Sequence, residues 1–180
     1  MKKGLVFWFT GLSGSGKTTI AEAVKPVLEE EGYSVLILDG DDVRERLHVN
    51  LDFSPEDIKK NNSLIVQLCS QYRADYDVVL VPVISPYRVS RAEARRLLGE
   101  GFYEIYFAAD LETVMRRDVK GLYAKAINNE ITNMIGFSPS NIYESPQYPD
   151  LLINTGKECI SKSEELFLKF VTIKLGINKK

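Results

Sequence analysis

The chain has 180 residues, 44% of them hydrophobic and 27% charged, with a formal net charge of −2. That length supports one domain with a substantial core and is short for two ordinary ones. No apolar run approaches the roughly 20 residues a membrane helix needs, and a net negative charge gives no general attraction to nucleic acid, whose binding needs clustered Lys and Arg. The expectation is a single domain over residues 1–180, working in the cytoplasm with neither membrane nor nucleic acid as partner.

The first strand is expected from Leu5 to Phe9. The preceding Met1-Lys2-Lys3 gives this start the look of a signal peptide, yet the apolar run stops at Thr10 and leads straight into a glycine-rich loop, so it reads as a buried strand. The loop, Gly11-Leu-Ser-Gly-Ser-Gly-Lys17-Thr18, fits GxxxxGK[ST] in the strand-to-helix context where that pattern has meaning. Glycines at 11, 14 and 16 let successive backbone N–H groups face a triphosphate. Lys17 can reach the β and γ phosphates, the Thr18 hydroxyl can ligate Mg²⁺, and the following helix, Lys17 to Glu31, adds its positive end.

A second strand, Val35 to Leu38, runs into Asp39-Gly40-Asp41-Asp42. Carboxylates at that strand end face the phosphate loop in a parallel α/β sheet. There one of them can orient an acceptor hydroxyl and take its proton, with Asp41 the candidate base, and Asp39 can help Thr18 hold Mg²⁺. One of the three aspartates is expected to cap a short helix instead. His48, the only histidine, reads as a structural or surface residue.

Ser54-Pro55-Glu56-Asp57 offers a cap, a first-turn proline and an acidic turn for a helix from Pro55 to Tyr72. A strand from Val78 to Ile84 follows, then Ser85-Pro86 as a further cap for a helix from Arg88 to Leu98. Next come a strand Glu104 to Ala108, a helix Leu111 to Arg117, a strand Leu151 to Asn154 and a helix Cys159 to Leu175. The nearly continuous apolar strands alternating with helices imply a parallel five-stranded sheet between helical layers. The stretch from about 118 to 150 has weak periodicity and three of the seven prolines, and reads as a lid rather than core. Two arginine and lysine clusters, Arg88/Arg91/Arg95/Arg96 and Arg116/Arg117/Lys120/Lys125, suit phosphate recognition, although Arg95 and Arg96 read as a solvated face. Cys69 and Cys159 are too few for a disulfide framework and read as buried or inert.

A phosphate loop alone fits GTPases, ATPases and kinases of small molecules or nucleotides. No guanine-reading NKxD occurs, and the strand ending at Ile84 is followed by Ser85, not by the acidic residue of a motor ATPase. Taken in order, Gly11 to Thr19, Leu38-Asp-Gly-Asp41, Val43-Arg44, Leu51-Asp-Phe-Ser-Pro55, Ile84-Ser-Pro-Tyr-Arg88 and Arg117-Asp-Val-Lys-Gly-Leu-Tyr123 resemble the adenylyl-sulfate (APS) kinase family. The resemblance spans Phe9 to about Thr155. It implies a nucleoside-monophosphate-kinase-like P-loop sandwich, ATP and Mg²⁺, a homodimer, and transfer of the γ-phosphate to the 3′-hydroxyl of adenosine 5′-phosphosulfate.

Carried over residue by residue, the resemblance places the triphosphate on Gly11, Ser13, Gly14, Ser15, Gly16, Lys17, Thr18 and Thr19. It sets Asp39 and Asp41 beside the reacting hydroxyl, with Thr18 and Asp39 toward the metal. Arg44 and Asn61 then contact the acceptor nucleotide, Phe53 stacks on its base, Ile84 borders the bound nucleotides, and Arg117 lies near the ATP base or phosphates. Lys120 and Leu122 belong to the segment that folds over the ligands. Ser85 matches the family's phosphoserine position, though direct transfer is simpler.

Three positions depart from the family pattern, all on the acceptor side. Ile58 and Ser63 stand where family members have arginines, and Met134 stands where an aromatic residue covers the acceptor base. Lys59 or Lys60 could supply charge near Ile58 but not a bidentate fork. The stretch Phe137 to Tyr143 is about two residues longer than usual. Such departures also fit a relative that phosphorylates the 3′-hydroxyl of another 5′-modified nucleotide, for example cytidine diphosphoramidate.

Overall fold

A computed structural model describes residues 3–46 and 53–176. His48, Leu51 and Asp52, which figure in the sequence reading, lie outside the described residues. Five strands form one parallel sheet: β1 (Leu5–Thr10), β2 (Val35–Ile37), β3 (Val78–Pro82), β4 (Phe102–Phe107) and β5 (Leu151–Ile153), in the spatial order β2-β3-β1-β4-β5. The helices are α1 (Lys17–Glu30), α2 (Gly40–Arg46), α3 (Pro55–Tyr72), α4 (Arg88–Leu98), α5 (Leu111–Arg117), α6 (Leu122–Ile127) and α7 (Ile160–Leu175).

β1 is central and apolar on both faces, and its period-two alternation divides the core. Phe7 and Phe9 enter one cluster with Ile20, Val24 and Leu28 of α1 and Phe167 and Val171 of α7. Val6 and Trp8 enter the other, with Ile65 and Cys69 of α3 and Ala94 of α4. Phe167 meets Phe7 and Phe9 edge-on, at 5.5 and 5.0 Å between ring centroids. Burial of each such ring contributes roughly 1.5–3 kcal/mol, so this stack is a substantial part of what holds α7 on the sheet.

Helix α3 starts as its signals require: Ser54 caps it by accepting from the Asp57 amide, with Pro55 in the first turn. At its other end buried Arg73 donates to the carbonyls of Gly4, Leu98 and Glu100, tying α3 to the entries of β1 and β4.

The expected cap of α4 is different. Ser85 makes no cap; the first residue of α4, Arg88, donates its amide to the Glu144 carboxylate at 2.7 Å, and the Glu144 amide returns a bond to the Pro86 carbonyl. A carboxylate from the distant 118–150 segment therefore closes this helix end, which no local pattern announces. The arginines of α4 are also engaged within the chain rather than free for phosphate. Buried Arg91 pairs with Glu104 at 2.6 Å and donates to the carbonyls of Ser85 and Glu144. Arg95 pairs with Asp150, Arg96 with Glu93, and the Arg88 guanidinium binds the Ser145 carbonyl.

The 118–150 segment contains α6 and a third apolar cluster. Tyr123, Ala126 and Met134 pack with Leu12 of the phosphate loop and Val114 of α5. Asp118 closes the start of α6 by accepting from the amides of Tyr123 and Ala124, and the Tyr123 hydroxyl donates to the Ser13 carbonyl at 3.0 Å. This segment is thus more core-like than its weak periodicity implies. Cys69 is buried, and burial pushes its thiol up to about 12. Cys159 departs from expectation: it is exposed at the start of α7, where the Ser161 hydroxyl and the Lys162 amide lower its pKa.

Candidate active site

A cleft of about 150 Å³ opens at the carboxyl ends of β1, β2 and β3, the position where ligands enter parallel α/β sheets. The phosphate loop forms one wall. Gly11, Gly14 and Gly16 hold φ of 153°, 76° and 92°, conformations that side chains other than glycine rarely adopt. At Gly11 space is also decisive, since a Cβ would lie 2.6 Å from the Phe107 carbonyl oxygen and 2.7 Å from Ser15 Oγ.

Lys17 lies folded against this loop, its ammonium donating to the carbonyls of Gly11 and Leu12 at 2.8 Å each and to Ser15 Oγ at 3.3 Å. Burial pulls its pKa down to about 7, against the opposing pull of Asp41. A partly neutralised lysine beside a nest of amides is a site primed to take up a proton together with an anion.

Asp39 and Asp41 are positioned by the turn from β2 into α2. The Thr18 hydroxyl donates to Asp39 Oδ2 at 2.8 Å, and Asp39 Oδ1 accepts from the Asp41 amide at 2.9 Å. Gly40 between them is a packing requirement: a Cβ there would stand 2.8 Å from Val83 Cγ2. Lys120 reaches across to Asp41 at 2.6 Å. Burial works against the charge on Lys120, but the hydrogen bond and the nearby Asp41, Asp39 and Asp42 outweigh it and raise its pKa. The adjoining hydroxyl and carboxylate oxygens of Thr18 and Asp39 are hard donors of the kind Mg²⁺ takes from protein while keeping phosphate and water for its other positions.

The opposite wall comes from α3 and the segments beside it. Phe53 is 47% exposed, with the Arg44 guanidinium 4.8 Å from its ring centroid. Ile58, Asn61 and Asn62 line the cleft from α3, and Ile84, Ser85 and Ile135 from elsewhere. The Oδ1 atoms of Asn61 and Asn62 and the Oγ of Ser85 are buried without a hydrogen-bond partner. Ser85 also holds φ of 42°, the sort of backbone strain that functional sites retain.

Most of the expected residues meet here, including Ser13, Thr19, Arg44, Phe53, Ile84 and Lys120. Gly11 and Ser15 lie behind the cleft, where they hold Lys17. Two more do not line the cleft: Arg117 binds the Thr155 carbonyl at 2.6 Å, and Leu122 packs against the third cluster. Met134 is buried in that cluster as well, and its neighbour Ile135 borders the cleft instead. Lys59 stands over the Tyr87 ring at 5.6 Å, and Ser63 bonds back to the Lys59 carbonyl, so neither reaches the cleft. Asn62, Gly40 and Ile135 line the cleft as well, with no role expected for them from the sequence. Gly40 could have been found from the glycine held between two aspartates; the other two carry no local signal.

Sheet order, phosphate loop and an acid-bearing second strand end define a P-loop phosphotransferase, built like the small-molecule kinases. A gluconokinase from Sinorhizobium meliloti shares the fold at 15% identity and a TM-score of 0.61, covering 99% of this chain and 98% of its own. The adenylylsulphate kinase family model matches residues 3–154, and the chain belongs to that family. It is 46% identical over 180 residues to an adenylyl-sulfate kinase of Halothermothrix orenii, covering 98% of this chain and 94% of the relative. It is likewise 46% identical over 154 residues to the enzyme of Chloroflexus aurantiacus, covering 86% and 81%. The Mycobacterium tuberculosis APS kinase, solved in complex with AMPPNP and APS, superposes with a TM-score of 0.86 at 35% identity, over 95% of this chain and 99% of that one.

Proposed function

We propose that this protein transfers the γ-phosphate of ATP to the 3′-hydroxyl of adenosine 5′-phosphosulfate. The observation that carries the reading is the meeting of Lys17, Thr18, Asp39 and Asp41 at one cleft in a chain of this family. Each group has a distinct task. Lys17 exchanges the carbonyls of Gly11 and Leu12 for the β and γ phosphates, and the loop amides bind the remaining oxygens. Asp41 exchanges Lys120 for the acceptor hydroxyl, orients it and takes its proton as the new bond forms. Lys120, released from Asp41, turns to the phosphoryl group and neutralises its charge. Phe53 and Arg44 grip the acceptor nucleotide, with Asn61 facing the same ligand, while Arg117 stands near the ATP base or phosphates.

Thr18 and Asp39 would hold Mg²⁺, which would supply positive charge to offset that of the triphosphate during transfer. The Ser85 hydroxyl has no hydrogen-bonded base to activate it, which supports direct transfer over a phosphoserine intermediate. Residues 1–180 are read as one kinase domain, cytoplasmic and homodimeric, with the 118–150 segment acting as a lid that excludes water. The test is ADP release from ATP and Mg²⁺ with and without APS. Release that depends on APS is expected; an equal rate without it would make the protein an ATPase.

A further inference from the structure

Among the described residues, four buried side-chain polar atoms lack a partner, and three of them belong to residues of the acceptor cleft: Asn61 Oδ1, Asn62 Oδ1 and Ser85 Oγ. A buried acceptor left unpaired is costly, so such atoms mark where a ligand completes the structure. The orientation of Asn62 is fixed, because its Nδ2 donates to the Ile58 carbonyl at 2.7 Å. Its free atom is therefore a carbonyl oxygen, which can only accept. Asn61 presents the same kind of atom beside it, and both residues are almost completely buried.

The charges around the cleft sit elsewhere: Lys17 is held on the phosphate loop, Lys120 on Asp41, and Arg44 over Phe53. Along α3 the wall is Ile58, Asn61 and Asn62, uncharged and rich in acceptors. Such a surface repels carbonyl, phosphate and sulfonyl oxygens and attracts N–H groups.

We propose that Asn62, next to Asn61, is a specificity-determining residue that reads an amino group on the acceptor nucleotide. The inference rests on the reading of this cleft as the acceptor site. An amino group can come from the base, as the exocyclic amine, or from a substituent at the 5′ end, and the probes separate the two.

The experiment compares two pairs of compounds on the full chain: adenosine against inosine 5′-phosphosulfate, and adenosine 5′-phosphoramidate against AMP. Both kcat/KM and the ligand-induced rise in Tm are measured. One pair is expected to favour its amine-bearing member by roughly tenfold or more, through KM, since an unpaired buried polar group discriminates strongly. Asn62→Leu is expected to reduce that preference to within about threefold while leaving the Tm of the free protein unchanged or higher, because it removes an unpaired acceptor. A merely structural asparagine would give the reverse pattern, a lower Tm with the preference intact.

Should leucine not fit, Asn62→Ala gives the same reading, and the wild-type comparison stands alone. Absence of an amine preference in both pairs, or a preference that survives loss of Asn62, overturns the inference. Turnover of APS without any amine preference sinks this inference only. An intact preference in the Tm shifts without turnover sinks the kinase reading only.

Discussion

The two walls of the cleft are built on opposite plans. On the donor wall nearly every functional group is already occupied within the chain: Lys17 by loop carbonyls, Thr18 by Asp39, Asp41 by Lys120, and the Ser13 carbonyl by Tyr123. On the acceptor wall Phe53 is half exposed, and the free oxygens of Asn61, Asn62 and Ser85 have no partner. The donor wall can hold its shape without a ligand and exchange one set of partners for another. The acceptor wall is complete only when something sits against it. Changes on the first should therefore act on turnover, and changes on the second on affinity and choice of substrate.

The strongest way to break this contrast is at the donor wall. Lys17→Ala should lower kcat by a factor on the order of 10³ or more, and Asp41→Asn by about 10²–10⁴, with the fold preserved in both by circular dichroism. Near-wild-type kcat in either would remove the assigned role.

The brace behind the two walls comes next. Arg91→Met leaves buried Glu104 with only its longer, 3.8 Å pairing to Arg95 and frees the carbonyls of Ser85 and Glu144. Thermal unfolding should show a loss of about 3–5 kcal/mol. A loss below about 1 kcal/mol would mean that water replaces the guanidinium.

The acceptor wall should respond more mildly and in a different constant. Phe53→Ala removes a stacking surface worth about 1–3 kcal/mol per base, so KM for the acceptor should rise roughly 5- to 150-fold while kcat and KM for ATP change little. A fall in kcat alone would erase the distinction between the walls.

The smallest effect is the most diagnostic of how Lys17 is held. Its folded pKa, about 7, lies below the usual lysine value. The free enzyme therefore loses this proton as pH rises through 7, and ATP binding must restore it. Affinity for ATP should weaken by up to about tenfold per pH unit above 7, and calorimetry in buffers of different ionisation enthalpy should detect proton uptake. For folding the sign is opposite. The folded state binds fewer protons than the unfolded one between pH 7 and the ordinary lysine range, so this residue's burial penalty is fully felt below pH 7 and fades above it. pH-independent ATP affinity between 6.5 and 8.5 would contradict the buried environment of Lys17.

The parallel sheet, its five strands and the phosphate loop were legible because each rests on local patterning: apolar runs, glycines at fixed spacing, and the Ser54-Pro55 cap. The donor wall inherits that legibility, since Lys17, Thr18, Asp39 and Asp41 belong to two short motifs. What stayed hidden depends on contacts between distant parts of the chain. Glu144 caps α4 from a remote segment, Arg91 braces two loops where phosphate binding was expected, and Met134 turns into a third cluster, leaving Ile135 at the cleft. Asn62 looks like any polar helical residue until Ile58 is seen to hold its amide nitrogen.

The central claim, phosphoryl transfer to the acceptor's 3′-hydroxyl at this cleft, is tested most directly by phosphorus NMR of the wild-type protein with ATP, Mg²⁺ and APS. The account predicts ADP and an equal amount of a new phosphomonoester coupled to the ribose 3′ proton. Inorganic phosphate in place of that resonance, or a phosphoryl group at any other position, would contradict it.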